Sequence, residues 1–470
     1  MNNDHILSTF DNDLNRLNKD LLKLTNPSCM KWENFKISLN SKSKIEIFNN
    51  TKEILYLACP TILEKQNLDN INNFVVIFLD QIDNDILQKM YDKKKLPFVS
   101  NFFKNSISFS NFYSSSEWTM PSLYSFFSGE YSSEHGLFDF NFSKNVSDPM
   151  KDDNLVRFFK NKNFFNLGIS RSKGHHPGFN FQKYFDRFYY FPSRRDKFRE
   201  EDFEQIAVEH LESNLDGKNF IFLHYLSSHA PYYGNSINED VQLKSERIGY
   251  PLKDYEDSII DVGTSKIEKV IDEHKIDSIN QRREERLKSL DLSLSKLLNF
   301  IQTKIHQNTL VLLTSDHGIN HIKDKNNSFL SKDRINVPLK IYHPSILKGF
   351  KNDEYYSSVD IFKLIESLTK NFKSEDELYK NIYKNKSNEI FSESIFGNYY
   401  KATIISDKIS FYHICKFNSD NKTVYLNKKS KSKIVLYKND KNLDRVQITE
   451  EYLKKIKEHL NNKGFLKVAD

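Results

Sequence analysis

Cysteine, glycine and proline are all scarce in this sequence of 470 residues. The three cysteines are Cys29, Cys59 and Cys415, and their wide spacing fits neither a zinc knuckle nor a disulfide framework. We therefore expect a reducing compartment. The 13 glycines and 11 prolines are too few for a long flexible linker.

Long apolar runs are absent as well. No stretch reaches the roughly 18 uninterrupted apolar residues that a membrane-spanning helix needs. The N-terminal segment MNNDHILSTFDNDLNRLNKD lacks the apolar core of a signal peptide. The formal net charge of +6 is small for this length, and no arginine-rich stripe or recognition-helix pattern occurs. These absences predict a cytoplasmic protein without a transmembrane segment and without a nucleic-acid partner.

Aromatic residues are abundant, with 24 tyrosines and 38 phenylalanines, which is typical of a folded chain. Short apolar segments bounded by polar turns alternate with helical patterns, as expected for strands buried on both faces of a parallel sheet. The predicted strands are FVVIFLD (74–80), FFNLGIS (164–170), FIFLHYL (220–226), TLVLLTSD (309–316) and VPLKIYH (337–343). Leucines recur at helical spacing within 282–305. The pattern predicts an α/β fold, with a mostly parallel central sheet sandwiched by helices.

The pattern predicts three parts along the chain. Residues 1–70 form an N-terminal extension to which we assign no role, and residues 71–385 form the α/β domain. Residues 386–470 form a C-terminal α+β subdomain, because 401–417 and 423–439 have the pattern of hairpins and 450–463 that of a helix. We therefore expect a small antiparallel sheet plus a helix after the α/β domain.

Polar side chains stand at the ends of three predicted strands. Asp80 ends the first, His229 follows the third, Asp316 ends the fourth, and His317 follows Asp316. Ligands of open α/β sheets bind beyond the carboxyl ends of the strands, so these side chains predict a divalent metal site. Zinc or manganese suits carboxylate and imidazole ligands, with calcium or magnesium as alternatives. The competing interpretation is that each aspartate caps a helix and each histidine packs at the surface.

Thr119 raises a similar choice. It lies in SSSEWTMPSLYSFFSGEYSSEHG (114–136), where a Thr-x-Pro-Ser turn precedes an apolar, helix-like run that stops at Gly129. Threonine is a favoured N-cap, so the side chain could simply start the helix. Alternatively, its hydroxyl is exposed in an active site and takes part in the reaction. The two interpretations are compatible if one residue does both.

Five segments follow one another along the chain: NNFVVIFLDQID (72–83), the Thr119 segment, SKGHHPGF (172–179), HYLSSHAPYY (224–233) and TLVLLTSDHG (309–318). Their content and order resemble the sulfatase-like branch of the alkaline phosphatase superfamily. The resemblance covers residues 73 to 440, and TSDHG with the Thr119 segment are its most specific parts. It implies a metal-dependent hydrolase or transferase with the sandwich fold described above.

The resemblance also implies roles for individual residues. The implied metal ligands are Asp80, Thr119, Asp316 and His317. Thr119 occupies the position of the nucleophile, at a helix start beside the metal. Lys173, His175 and His229 occupy positions that hold the anionic oxygens of the substrate or protonate the leaving group. These three and Thr119 are the predicted catalytic residues.

The sequence departs from the family pattern at three positions. Sulfatases use a cysteine or serine that is oxidised to formylglycine, whereas this chain has Thr119, and Leu123 stands at the position of the family's arginine. Gln81 stands where many relatives carry a second acidic residue, with Asp83 as a possible substitute, so we expect one metal ion. Threonine nucleophiles in this superfamily accompany phosphoryl chemistry.

The sequence thus predicts a metal-dependent phosphoryl-transfer enzyme, which is a phosphodiesterase, a phosphatase or a phospho-group transferase. Its substrate would be an anionic ester, either a small molecule or a surface glycan or lipid precursor. One alternative is a sulfuric-ester or phosphonate hydrolase of the same fold. The other is a non-catalytic relative that binds an anionic glycan or phosphate.

Overall fold

The structure is a computed structural model of the 470-residue chain. It describes residues 5–10, 16–18, 44–49, 71–137, 153–172, 180–191, 201–229, 273–319, 330–346, 348–370, 374–396, 398–418, 420–426, 430–436, 444–463 and 466–469. The chain divides into two compact units, of which the smaller comprises 1–65 and 209–216. The predicted domain boundaries near residues 70 and 385 stay predictions.

The smaller unit contains a three-stranded antiparallel sheet. Its strands are β1 (His5–Phe10), β2 (Arg16–Asn18) and β3 (Lys44–Asn49). β1 lies in the middle and pairs with both of the others. This sheet falls within the N-terminal extension to which the sequence assigned no role.

The larger unit is built on a sheet of eight strands among the described residues. They are β4 (Asn73–Leu79), β5 (Ile107–Tyr113), β6 (Phe165–Ser170), β7 (Arg187–Tyr190), β8 (Asn219–Tyr225), β9 (Thr309–Thr314), β10 (Leu339–Tyr342) and β11 (Phe350–Ser357). Their order across the sheet is β11-β5-β10-β9-β4-β8-β6-β7. Every neighbouring pair is parallel except the two made by β10.

The mostly parallel sheet predicted from the sequence is therefore confirmed. All five apolar segments form strands, and β4, β6, β8 and β9 are buried along their whole length. Phe74, Val76 and Phe78 pack into the main apolar cluster on one face of β4. Val75 and Ile77 point the other way and are equally buried. Burial of both faces requires a layer of helices on each side of the sheet.

Helices supply these layers. The α-helices among the described residues, of which the last packs on the second sheet, are α1 (Asn84–Asp92), α2 (Pro97–Phe102), α3 (Thr119–Ser128), α4 (Ser132–His135), α5 (Leu155–Asn161), α6 (Glu201–Ser213), α7 (Glu273–Phe300), α8 (Lys332–Ile335), α9 (Ile361–Leu368), α10 (Glu375–Tyr383) and α11 (Arg445–Lys463). The predicted helix at 282–305 is confirmed as α7 and the single π-helical turn that follows it, Ile301–Ile305. Its predicted apolar stripe, including Leu287 and Leu294, is buried.

The C-terminal part forms a second, mostly antiparallel sheet. Its strands are β12 (Ile390–Phe396), β13 (Tyr399–Ile405), β14 (Ile409–Asn418), β15 (Thr423–Tyr425), β16 (Lys431–Leu436) and β17 (Lys467–Ala469). α11 covers one face through Ile448, Tyr452, Ile456 and Leu460, which recur every four residues. The predicted small sheet plus helix is confirmed.

One detail of that prediction is wrong. The hairpin at 401–417 exists as β13 and β14, but the two strands described within 423–439 do not pair with each other. Both of its strands, β15 and β16, pair with β14 instead. β14 is long enough to bind both along one side of its ten residues, and β15 is completed by β17.

Candidate metal and nucleophile site

Asp80 and Asp316 meet because their strands are neighbours in register. β4 pairs in parallel with β9, with Phe78 opposite Thr314, so the residues two places further on emerge side by side. Both aspartates are buried at the carboxyl ends of these strands. This is the edge of the sheet at which the sequence placed the site.

Three imidazoles surround the Asp80 carboxylate. His224 Nε2 lies 3.4 Å from Asp80 Oδ2. His317 Nε2 and His229 Nε2 lie 3.9 and 4.0 Å from Asp80 Oδ1. These separations exceed the length of an ordinary hydrogen bond. They place several ligand-type atoms around a common space.

The two oxygens of the Asp316 carboxylate differ in their contacts. Its Oδ1 accepts hydrogen bonds from the backbone N–H groups of Gln81, at 2.9 Å, and His317, at 2.8 Å. Among the described residues, none donates a hydrogen bond of ordinary geometry to the buried Oδ2, which lies 3.4 Å from His317 Nε2. Burial raises the pKa of Asp316, but the neighbouring imidazoles of His317 and His224 and the Gln81 N–H outweigh it and lower the pKa.

The tautomer of His317 follows from its backbone contact. Its Nδ1 lies 2.8 Å from the carbonyl oxygen of Gly318, which can only accept, so Nδ1 carries the proton. In the neutral ring the lone pair of Nε2 then faces Asp316, Asp80 and Thr119. A lone pair set against two carboxylates repels them unless a positive charge lies between, and a metal cation supplies that charge.

Thr119 is the first residue of α3, and its hydroxyl oxygen lies 3.4 Å from His317 Nε2. The N-cap of α3 is Trp118, and no side-chain bond caps this helix. The interpretation of Thr119 as an N-cap is therefore wrong. The turn that includes Trp118 places Thr119 inside the helix, with its side chain directed to the carboxylate–imidazole cluster.

His229 lies beyond β8, and its side chain is 26% exposed. Its ring stands edge-on to that of His317, with the centroids 6.3 Å apart. The structure thus brings together Asp80, Thr119, His229, Asp316 and His317. Lys173 and His175, the other two predicted catalytic residues, lie outside the described residues.

Sequence reasoning missed His224. It is fully buried within β8, opposite Phe78 of β4, and so on the same face as Asp80. Burial lowers the pKa of His224 to about 4, so the ring is neutral at pH 7. Neutral imidazole is the form that binds metals. The available signal was a single polar residue inside the apolar segment FIFLHYL.

Asp83 does not substitute for the missing acidic residue at Gln81. Its Oδ1 caps α1 by accepting from the Ile86 N–H at 2.9 Å, and its Oδ2 pairs with Arg283 at 2.7 Å. The same guanidinium donates to the Gln81 carbonyl at 3.3 Å. Gln81 adopts a left-handed backbone with φ of 64°. Arg283 and Asp83 therefore hold the turn that follows Asp80.

The donor set fits a divalent cation. Two overlapping groups have ligand atoms within 4.8 Å of one another: Asp80, His229 and His317, and Asp80, His224 and Asp316. Two ligands each about 2.1 Å from a zinc ion lie ~3.4 Å apart in tetrahedral geometry, close to the separations found here. Mixed carboxylate and imidazole donors suit zinc or manganese.

Comparison with known proteins identifies the family. The sulfatase family matches residues 72–371, which is more than half of the chain. The chain belongs to the sulfatase family. No curated protein matches the sequence at a significant level. The family match begins just before β4 and ends just after α9, so it contains the whole cluster.

Solved structures share the fold of this sulfatase-family chain. The phosphonate monoester hydrolase of Silicibacter pomeroyi aligns with a TM-score of 0.57 at 12% identity, over 83% of this chain and 96% of its own. BT4656, solved with its substrate D-glucosamine-2-N,6-O-disulfate, aligns with a TM-score of 0.56 at 12% identity, over 84% and 99%. An alkaline phosphatase superfamily protein of Vibrio parahaemolyticus aligns with a TM-score of 0.53 at 12% identity, over 84% and 89%. At these identities the likeness concerns the fold.

Family membership supports a sulfatase-like hydrolase, and proteins of this fold generally use a divalent metal. The Asp/His cluster described above can bind one. None of the helices that the described residues form is both long and apolar enough to cross a membrane.

Proposed function

We propose that this chain is a metal-dependent phosphoryl-transfer enzyme that acts through Thr119 as the nucleophile. The observation that carries the proposal is the position of the Thr119 hydroxyl, at the start of α3 and 3.4 Å from His317 Nε2. The proposed ligands of one divalent ion, zinc or manganese, are Asp80, Thr119, Asp316 and His317. A divalent ion at this cluster supplies positive charge that lowers the pKa of the hydroxyl and offsets charge on the transferred group.

The residue type favours phosphoryl over sulfuryl chemistry. The formylglycine of sulfatases is an aldehyde, made by oxidising a side chain whose Cβ bears two hydrogens. Thr119 carries a methyl group on Cβ, so its oxidation would give a ketone. The usual sulfatase mechanism is therefore closed to this chain, whereas a threonine hydroxyl can attack phosphorus directly.

The proposed reaction has two steps. The Thr119 hydroxyl gives up its proton to solvent and Oγ1 forms a bond to phosphorus, while the bond from phosphorus to the leaving oxygen breaks and His229 donates a proton to that oxygen. Water or an acceptor hydroxyl then forms a bond to phosphorus and gives its proton to His229, while the bond from phosphorus to Thr119 Oγ1 breaks. Thr119 lies at the amino terminus of α3, and the partial positive charge of a helix amino terminus favours the anionic transition state. Lys173 and His175 are proposed to bind the anionic oxygens.

The proposed substrates are phosphodiesters or phosphomonoesters, either small or carried by a glycan or lipid precursor, and the proposed compartment is the cytoplasm. The phosphonate monoester hydrolase among the similar folds supports a second candidate, hydrolysis of phosphonate or sulfuric esters. A non-catalytic binder is less well supported, because Asp80, Thr119, Asp316 and His317 are all present and close together.

The test compares wild type, Thr119→Ala and Thr119→Ser on aryl phosphodiester, phosphomonoester, phosphonate and sulfate substrates, with metal content measured on the same samples. Thr119→Ala should abolish turnover, and Thr119→Ser should keep part of it. Because Thr119 is not the N-cap, Thr119→Ala should change the free energy of unfolding by less than about 0.5 kcal/mol. Mass spectrometry after an acid quench should find a phosphoryl group on Thr119.

Thr303→Ala is the matched control, since Thr303 is an exposed helix threonine that bonds only to backbone of its own turn. It should match wild type in every assay. Wild-type turnover by Thr119→Ala would exclude the covalent mechanism. Turnover of the sulfate ester alone would favour the second candidate.

A further inference from the structure

The loop that delivers Thr119 contains a buried carboxylate that the proposed reaction does not use. Glu117 lies two residues before Thr119 and is only 6% exposed. Its Oε2 accepts from Arg334 Nη1 and from the Leu330 N–H, both at 2.8 Å. Its Oε1 accepts from Lys401 Nζ at 3.0 Å. Lys401 itself is 1% exposed.

These partners come from distant parts of the fold. Arg334 belongs to α8, which follows the strand that delivers Asp316 and His317. Lys401 belongs to β13 of the C-terminal sheet. The carboxylate of Glu117 therefore connects the loop that precedes Thr119 both to α8 and to the C-terminal sheet.

The C-terminal sheet also binds the backbone of this loop. Ser392 Oγ donates to the Ser114 carbonyl at 2.7 Å, and the Glu393 N–H donates to the Ser115 carbonyl at 2.8 Å. Both donors belong to β12. Hydrogen bonds from β12, β13 and α8 thus meet on Ser114, Ser115 and Glu117, in the loop that leads to Thr119.

Stability alone does not account for this arrangement. Three charged groups are removed from water, with one positive charge in excess, and apolar residues of similar volume often serve at least as well for stability. An ion-paired carboxylate also fixes the position and orientation of its own side chain, because its two oxygens accept hydrogen bonds from donors at fixed places. The chain between Glu117 and Thr119 is two residues long, at most ~7 Å, so a shift of one moves the other.

We propose that Glu117, held by Arg334 and Lys401, is a positioning residue that sets the place of the Thr119 hydroxyl. The C-terminal sheet is thereby part of the catalytic apparatus. This inference rests on the proposed function, in which Thr119 is both metal ligand and nucleophile. Lys401 does not touch the substrate in this scheme and acts through Glu117.

The decisive variant is Lys401→Met, because it removes one buried charge while leaving the Glu117–Arg334 pair intact, so the fold should persist. Displacement of a reacting group by about 1 Å costs on the order of 100-fold in rate. We expect kcat to fall 10- to 100-fold, KM to stay within about twofold, and the Kd for Mn²⁺ to rise several-fold by calorimetry. A purely structural role would lower the melting temperature without this split between kcat and KM.

Glu117→Gln and the double variant Glu117→Gln/Lys401→Met complete a cycle. If the two residues act through one contact, the kcat of the double variant should be no lower than that of the single variant with the lower kcat. Losses that multiply would overturn the inference. Lys455→Met is the control, since Lys455 also forms a lysine–carboxylate pair in the C-terminal part, with Glu389 at 2.8 Å, but at the surface.

Thr119→Ala, measured alongside, separates the two hypotheses. If Thr119→Ala keeps wild-type turnover and Mn²⁺ affinity, the proposed function fails, and the positioning role fails with it. If Thr119→Ala loses both while Lys401→Met and Glu117→Gln match wild type, only the positioning role fails. A loss in all three, with Lys455→Met unchanged, supports both.

Discussion

Gly318 offers a sharp test of how the site is held. Its carbonyl accepts from His317 Nδ1 at 2.8 Å, and its N–H donates to the Arg334 carbonyl at 2.6 Å. A Cβ added here would lie 2.1 Å from the Asp333 carbonyl oxygen and 2.7 Å from Asp83 Cβ. Neither neighbour is the free end of a flexible side chain, so the backbone of Gly318→Ala must move, by about 1 Å to reach normal contact.

That movement should have two separable effects. Overpacking of this kind typically costs about 1–3 kcal/mol of stability. The shift also moves the carbonyl that orients the His317 ring, and a misplacement of about 1 Å costs on the order of 100-fold in rate. We therefore expect Gly318→Ala to lower the melting temperature, weaken Mn²⁺ binding in calorimetry and reduce kcat/KM by one to two orders of magnitude.

Gly349→Ala is the matched control. A Cβ there would lie 2.3 Å from the Lys104 carbonyl oxygen, a comparable backbone clash, but Gly349 precedes β11 at the end of the sheet opposite to the site. It should lose a similar amount of stability and keep the Mn²⁺ affinity of wild type. If Gly318→Ala and Gly349→Ala have the same Mn²⁺ affinity and turnover, the contact between Gly318 and His317 does not position the ring.

Three further outcomes are expected. Asp80→Ala and Asp316→Ala should each lose bound metal by elemental analysis while circular dichroism is unchanged; full metal content in either would remove that residue from the ligand set. Asp83→Asn should keep its metal but lose about 3 kcal/mol in urea unfolding, because its buried arginine partner is left without a counter-charge; loss of metal would make Asp83 a ligand after all. Burial raises the pKa of Glu393, but the His459 imidazole outweighs it and, with other hydrogen bonds, brings the pKa to about 2, against 4.5 for the free group. Its contribution is complete above pH 4.5 and is lost as the pH falls toward 2, so wild type should lose about 2 kcal/mol more than Glu393→Gln between pH 7 and pH 3 in urea unfolding; equal losses would contradict this pKa.

The strands at the centre of the large sheet were predictable because both of their faces are buried. β4, β8 and β9 appear in the sequence as apolar runs, and the polar residues that end them share one edge of the sheet. This reasoning predicted that Asp80 and Asp316 lie together, as they do. A polar residue at the end of an apolar run can be recognised from a short stretch of sequence, without knowledge of distant contacts.

Other strands of the same sheet were missed because their patterns are less apolar. β5 alternates buried and half-buried residues, and β11 has the polar sequence FKNDEYYS at the edge of the sheet. Neither is a continuous apolar run. Both carry enough polar side chains to resemble loops when packing partners are unknown.

The supporting residues of the site were not predictable, since their roles depend on pairing between distant segments. His224 lies beside Asp80 only because β8 and β4 pair in one register. The contact between Glu117 and Lys401 spans 284 residues. No pattern within a short stretch of the sequence predicts such a contact. Burial raises the pKa of Glu117, but the charges of Lys401 and Arg334 outweigh burial and lower the pKa to about 2. These opposing effects exist only in the folded protein.

The long span between Glu117 and Lys401 also bears on synthesis. A ribosome that adds 5–20 residues per second makes Lys401 roughly 15 to 60 s after Glu117, given their 284-residue separation. During that interval the nascent chain holds the loop sequence but lacks the strand that secures it. The partner of Asp80 at the neighbouring strand end, Asp316, also emerges before Lys401. The proposed metal ligands are therefore all synthesised before Lys401, whereas the proposed alignment of the Thr119 hydroxyl requires the second sheet to have been made.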